Sequence, residues 1–324
     1  MSKVAITGGA GFLGSHIAKQ QIEKGNDVVI IDNFSSGSIE NLNDLVIRQN
    51  CFTGDLLNYE FARESLAGVD TVYHFAAEVG SVEYLHGSND RELDALQANL
   101  VIDTNVFKAC RENRVNCIIY ASSVSVYPFE RQLAGGAVFK EEDATDKVNP
   151  EGGYGWSKFL GEVQLSMMKD VSIGIARIFH AYGKNIYLKP DRSQVIASLI
   201  TKAINYPKDD FIVWGDGAQR RCFVFINDVL DALDKLERYV MRNGKLVVNI
   251  GSQDEVTIKE LAEEIVRISG KDIRLKFDPS KPSGALYRTP NLERIGKVLG
   301  WAPETDLSTG LAETYEWAKT RLSE

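Results

Sequence analysis

Short β-branched runs alternate with stretches of helical periodicity over the first two thirds of the chain. Residues 4–7, 27–32, 71–75, 117–122 and 172–178 predict strands, and a further strand is expected to end at Asp55-Leu56. Helical patterns fill the intervals at 14–24, 60–66, 94–113 and 154–168. Strands separated by helices pair in parallel through right-handed crossovers, which predicts an α/β fold built on a doubly wound parallel sheet. Beyond Phe179 the rhythm breaks. Helices are expected at 193–205, 227–239, 257–269 and 307–321, with brief apolar runs at 211–213, 223–226 and 246–250. This pattern predicts a sheet domain over 1–178 plus about 224–252, and a smaller, mainly helical C-terminal domain over 179–223 and 253–324.

Composition narrows the class. The 324 residues are 44% hydrophobic and 25% charged, an ordinary globular balance. The net charge of −8 argues against a general nucleic-acid binder but leaves room for a local pair of arginines facing a phosphorylated ligand. Cys51, Cys110, Cys117 and Cys222 show no CxxC spacing. The four histidines His16, His74, His86 and His180 do not pair with them, so reduced cysteines and no metal are expected. No apolar run reaches the ~18 residues a bilayer span requires, and a cytoplasmic enzyme is expected.

Thr7-Gly8-Gly9-Ala10-Gly11-Phe12-Leu13-Gly14 follows the first predicted strand and opens the first helix. Glycines in such a turn permit the tight bend, the approach of backbone N–H groups to a pyrophosphate, and close packing of helix on strand. Asp32 ends the second strand, eighteen residues after Gly14, placed to accept hydrogen bonds from a ribose 2′-hydroxyl. No Arg or Lys follows in Asn33-Phe34-Ser35-Ser36-Gly37, so the pattern favours NAD over NADP. Asp55, Leu56, Phe75, Ala76 and Ala77 lie at the ends of later strands, where backbone can rest against the same ligand.

Tyr154 and Lys158 stand four apart at the start of a helix, on one face. An ammonium beside a phenol is expected to lower its pKa, fitting it to take a proton from a hydroxyl as hydride leaves the same carbon. Ser122 and Ser123 end the fifth strand, on the edge where such sheets bind ligands, and Ser123 is a candidate to hydrogen-bond the reacting oxygen. Asn99 is a candidate for holding Lys158.

Taken in order, TGGAGFLG, the Asp32 strand end, HFAA, SSVSVY and YGWSK resemble the extended short-chain dehydrogenase family of NAD-dependent nucleotide-sugar epimerases and dehydratases. Trp301-Ala302-Pro303 extends the likeness to about residue 320. The resemblance implies a Rossmann-type fold, a tyrosine–lysine–serine centre, an NAD that is reduced and reoxidised within one turnover, and a homodimer built from helices such as 94–113 and 154–168. Within the family, the segment from Ser122 to Pro128 with Phe-Glu-Arg-Gln-Leu after it, and Glu78-Val79-Gly80-Ser81, are similar to GDP-mannose 3,5-epimerases. Trp214-Gly-Asp-Gly-Ala-Gln-Arg220-Arg221 resembles the family's diphosphate segment. It implies Arg220 or Arg221 as a phosphate clamp, with Arg288, after Pro282-Ser283-Gly284, as a second candidate.

Three departures shape the expected chemistry. Ser125 stands where the 3,5-epimerases carry a proton-exchanging cysteine, and a hydroxyl is a far weaker acid and base than a thiol. Lys189 falls where their partner lysine lies. Val124-Ser125 replaces the Asp-Glu pair of the dehydratases, and His180 stands where the family more often has Asn. The reading that needs no extra base has Tyr154 deprotonate the C4 hydroxyl of a nucleotide sugar. A 4-keto intermediate follows, and hydride return to the other face inverts C4. Lys189 leaves open inversion at C3 or C5, and a reductase or dehydrogenase of the same family is the alternative.

Overall fold

The computed structural model describes residues 1–42, 50–133, 136–281 and 285–323. Among them seven strands form one parallel sheet: β1 (Lys3–Thr7), β2 (Asp27–Asp32), β3 (Asn50–Thr53), β4 (Thr71–His74), β5 (Cys117–Ser123), β6 (Ser172–Ile178) and β7 (Lys245–Ile250), in the order β7-β6-β5-β4-β1-β2-β3. The apolar run near residue 246 therefore returns to the main sheet and pairs in parallel with β6. The order reverses between β1 and β4, and the crevice at the carboxyl ends of these strands is where an open α/β sheet binds its ligand.

The strands read as unbroken apolar runs because both faces are covered. Val28, Val29, Ile30 and Ile31 are all fully buried. Val28 and Ile30 pack with Ile17 of α1 (Phe12–Glu23) and with Val229, Leu233 and Leu236 of α6 (Ile226–Asn243). Val29 and Ile31 face the other layer, packing with Val106 and Phe107 of α3 (Asn89–Glu112) and Leu165 of α4 (Gly152–Met167). Between β3 and β4 lies α2 (Tyr59–Ser65), capped by Asn58. Burying each such side chain contributes about 1.5–3 kcal/mol, so the sandwich has a large favourable term to set against chain entropy.

A second core gathers Ile196, Leu199 and Ile200 of α5 (Val195–Asn205), Leu261 and Ile265 of α7 (Ile258–Ser269), and Leu311 and Tyr315 of α8 (Leu307–Arg321) around Phe211 and Val213. Helix starts depart from the sequence pattern where caps rather than apolar spacing set them. The helix expected from residue 94 begins at Asn89, because the Ser88 hydroxyl accepts from the Arg91 amide and the acidic Asp90 and Glu92 favour a first turn. Without any side-chain cap, α4 begins two residues before Tyr154, at a Gly152-Gly153 pair that carries no apolar signal.

Candidate active site

The glycine turn after β1 is held by its neighbours. The Gly8 amide donates to the Ile31 carbonyl at 2.8 Å. Gly8 has φ +66°, and a Cβ there would stand 2.8 Å from the Ala76 nitrogen; one at Gly14 would stand 2.1 Å from the Gly8 carbonyl oxygen. Only glycine fits at either place, and the turn brings the start of α1 to the mouth of the crevice. Gly8, Gly11, Phe12 and Leu13 line a cavity of about 610 Å³. Asp32 lines it too, its Oδ2 accepting from the Ala10 amide at 2.9 Å and its Oδ1 from the Phe34 amide at 2.7 Å. Burial raises the Asp32 pKa, and those two amides oppose the rise. Asn33, Ser36, Asp55, Leu56, Phe75, Ala76 and Ala77 line the same end, with Asn33 Nδ2 donating to Asp55 at 3.1 Å. A turn without Cβ atoms, a helix N-terminus and an acidic strand end in one elongated cavity fit a dinucleotide.

Ser123 and Tyr154 meet at the centre of the cavity, from the end of β5 and the first turn of α4, and Ser122 lines it beside them. The Ser123 hydroxyl hydrogen-bonds the Tyr154 phenol. Lys158 is buried one turn further on, its Nζ 6.0 Å from the Tyr154 ring centroid and 4.7 Å from that of Tyr120. The sequence-based expectation that Lys158 lowers the phenol's pKa is not met in this state. Burial pushes the Tyr154 phenol up to about 12, while the hydrogen bond from Ser123 pulls against it. Burial also lowers the Lys158 pKa, opposed by the carboxylates of Asp103 and Glu162.

Asp103 lies beneath this pair with its carboxylate fully engaged. It accepts from the Tyr120 hydroxyl at 2.6 Å and pairs with His74 Nε2 at 3.0 Å, and His74 Nδ1 is 2.6 Å from Thr7 Oγ1. Asp103 acts on Lys158 through charge and through Tyr120, which makes it a positioning residue. Removing the charge takes away a contribution that raises the Lys158 pKa, so the ammonium is lost at lower pH. For Asp103→Asn the alkaline limb of the kcat/KM profile is expected to move to lower pH, measured by titrating turnover of the folded variant; an unmoved limb would refute the role.

Several sequence-based assignments change. Asn99 does not line the cavity and does not hold Lys158. Its Oδ1 accepts from the Glu78 amide at 2.6 Å and its Nδ2 donates to the Glu78 carbonyl at 3.1 Å, so this side chain fixes the loop after β4. Lys189 is exposed and outside the cavity lining; Pro190 and Arg192 line it instead. Arg220 turns outward to Glu255 at 3.5 Å, because alternate residues of its short strand face opposite ways, while Arg221 lines the cavity. The Ser81 hydroxyl lines the cavity and caps the helix Val82–His86 by accepting from the Tyr84 amide at 3.2 Å, and Gly80 lies beside it against the Tyr84 ring. Pro282-Ser283-Gly284 lies outside the described residues.

The far end of the cavity is cationic. Arg221 and Arg288 are both buried, and burial together with the nearby Arg288 brings the Arg221 pKa down to about 9. His180 lies near both on the same lining, at the strained φ of +45°, with its Nε2 unpartnered among the described residues. Burial and the two arginines hold its pKa well below the usual range, so the imidazole is neutral. Ser125 Oγ donates to Glu151 Oε2 at 3.2 Å, and the Arg288 guanidinium binds the same oxygen. Glu151 and Arg192 line the cavity and were not singled out in the sequence, and Glu78, which opens the Glu78–Ser81 segment, lines it without having been assigned a role. Glu151, three residues before Tyr154, could have been found by extending the helical face one turn back. Arg192 contacts Glu78 at 3.4 Å across the fold, which no sequence spacing reveals. Among the described residues no cluster of three or more His, Cys, Asp or Glu could hold a metal, and no helix is long and apolar enough to cross a membrane.

Residues 4–251 match the NAD dependent epimerase/dehydratase family. GDP-mannose 3,5-epimerase 1 of Oryza sativa subsp. japonica is 30% identical over 99% of this chain and 82% of its own. UDP-N-acetyl-alpha-D-glucosaminuronate decarboxylase of Bacillus cytotoxicus is 29% identical over 96% of each chain. Among solved structures, UDP-N-acetylglucosamine 4-epimerase of Methanobrevibacter ruminantium, in complex with UDP-N-acetylmuramic acid, superposes with a TM-score of 0.86 at 26% identity, over 99% of each chain.

Proposed function

Because the chain belongs to the NAD dependent epimerase/dehydratase family, we propose that it inverts a ring carbon of a nucleoside-diphosphate sugar through a transient 4-keto intermediate. The observation that carries the reading is the single cavity in which the glycine turn, the Ser123–Tyr154 pair with Lys158, and the buried Arg221 and Arg288 all meet. NAD held against the glycine turn, Asp32 and Lys158 would supply the hydride acceptor and donor for C4, and its positive nicotinamide charge would favour the phenolate. Tyr154 accepts the proton of the C4 hydroxyl, Ser123 hydrogen-bonds the reacting oxygen, and the Lys158 ammonium stabilises the negative charge that collects there. Arg221 and Arg288 suit a diphosphate, whose planar, bidentate recognition favours guanidinium over ammonium. The neutral His180 completes that wall with a ring nitrogen free to bond a phosphate or sugar oxygen.

The division of labour follows the two cores: residues 1–178 with 224–252 carry the cofactor, and 179–223 with 253–324 carry the nucleotide sugar. C4 inversion requires only that the 4-keto sugar turn its other face before hydride returns. Inversion at C3 or C5 is the second reading, favoured by the likeness to GDP-mannose 3,5-epimerase and by the carboxylate at Ser125. The protein works in the reducing cytoplasm, its Cys110, Cys117 and Cys222 free and buried. It works as a homodimer in which α3 and α4 of each protomer form a four-helix bundle; exposed Leu93, Val101 and Trp156 on these helices supply apolar surface for it. Incubation with GDP-mannose, UDP-glucose and UDP-N-acetylglucosamine, read by NMR, tests the function. An epimer should form with catalytic NAD and no accumulation of NADH; steady release of NADH would identify a dehydrogenase instead.

A further inference from the structure

We infer that Glu151 is a second proton-transfer residue of this site, exchanging the hydrogen on a sugar carbon next to the transient ketone. The inference rests on the epimerase reading and extends it. A C4 ketone acidifies the hydrogens on C3 and C5, but removing one requires a base within reach and a group to hold the enolate oxygen. Ser125 by itself does not supply that base, since an alcohol is a weak proton acceptor. Its neighbour does.

Glu151 stands just before α4, one helical turn ahead of Tyr154, and lines the same cavity while being only 7% exposed. Two separate segments fix it. Its amide donates to the Ser125 carbonyl at 2.8 Å, and the Ser125 hydroxyl donates to Oε2 at 3.2 Å. Arg288 binds that same oxygen while its Nε is anchored to Gln132 Oε1 at 2.9 Å. A second buried ion pair serves as an internal comparison. Glu162 gives one oxygen to Arg177 Nε at 2.9 Å and the other to Nη2 at 2.6 Å, and neither residue lines the cavity. Glu162 is a structural counterion with both oxygens occupied. Glu151 spends only Oε2 on its partners; among the described residues Oε1 accepts no hydrogen bond.

The step balances without an external oxidant or reductant. Oε1 takes the proton from the carbon beside the ketone, and the C–H electron pair becomes a C=C bond. The carbonyl π pair moves onto O4, held by the Tyr154 phenol and the Ser123 hydroxyl. Return of the proton restores the ketone, with inversion if it arrives on the opposite face. The carboxylic acid exchanges with solvent in between, so deuterium enters from D2O.

The test mixes enzyme, NAD and either GDP-mannose or UDP-glucose in D2O. Absorbance of reduced nicotinamide reads the oxidation half-reaction, and NMR reads deuterium at C3 and C5. Wild type should show both. In Glu151→Gln, which keeps size and hydrogen bonding but loses the charge, deuterium entry should fall about 100-fold or more. The oxidation half-reaction should slow by less than about tenfold, as expected for a residue acting after hydride transfer. Glu151→Asp keeps the charge and carries the test should the Gln variant not fold; it should show the same split in milder form. Undiminished deuterium entry in a folded Glu151→Gln overturns the inference. So does parallel loss of both signals with NAD still bound, which would make Glu151 a counterion for Arg288. Wild-type epimerisation without label at C3 or C5 overturns it while sparing the epimerase reading. Failure of wild type to oxidise either sugar nucleotide defeats both together.

Discussion

Tyr154→Phe is expected to lower kcat by roughly 10³-fold, within the range that loss of a positioned acid or base produces, while leaving bound NAD in place. The phenol oxygen is the only part of the side chain removed, so the ring still fills its place beneath the cavity and the glycine turn is untouched. In the proposed mechanism the hydroxyl has two tasks that phenylalanine cannot perform: it takes the C4 proton, and it hydrogen-bonds the oxygen that becomes a ketone. The phenol needs help, since burial pushes it up to about 12, Asp103 adds to the rise, and among the described residues the Ser123 hydrogen bond alone acts downward. The measurement is single-turnover reduction of NAD by UDP-glucose or GDP-mannose alongside NAD content after gel filtration. Near-normal turnover in this variant would remove the tyrosine from the chemistry.

Arg177→Met should destabilise the fold by roughly 3–5 kcal/mol, because it strands a buried carboxylate that has lost its partner. Glu162 and Arg177 are both buried, bonded through two N–H···O contacts at 2.9 and 2.6 Å. Arg177 Nη1 also donates to the Glu141 carbonyl at 2.6 Å and to the Tyr127 hydroxyl at 3.2 Å, so β6, α4 and the segment after β5 are joined at one point. The Glu162→Gln/Arg177→Met double variant should recover part of the loss, since no uncompensated charge remains. Denaturant melts of the two variants beside wild type decide it; an Arg177→Met variant as stable as wild type would refute a central role for the pair.

The glycine turn, the Asp32 strand end, the serines ending β5 and the tyrosine–lysine spacing were legible because each is a local motif whose chemistry follows from a few neighbouring residues. The alternation of strand and helix was legible too, since a sheet covered on both faces writes continuous apolar runs into the chain. Asn99 misled for a definite reason. Its place on α3 put it beneath the sheet edge, but its amide is complementary to one peptide unit, and the backbone of Glu78 satisfies both of its groups. Lys189 misled because a likeness in register does not fix which way a loop turns its side chains.

By itself, then, the sequence determined the parallel sheet, the dinucleotide turn and the spacing of Tyr154 and Lys158 on one helical face, all of which are written in patterns local to the chain. Only the tertiary structure decided that Arg221 rather than Arg220 faces the cavity, that Asp103 lies under Lys158, and that Glu151, Ser125 and Arg288 converge. Those groups come from segments as far apart as 137 residues. Their meeting is fixed by how two cores pack against each other, and the free energy of that packing is spread over many side chains, so that no short stretch of sequence records it.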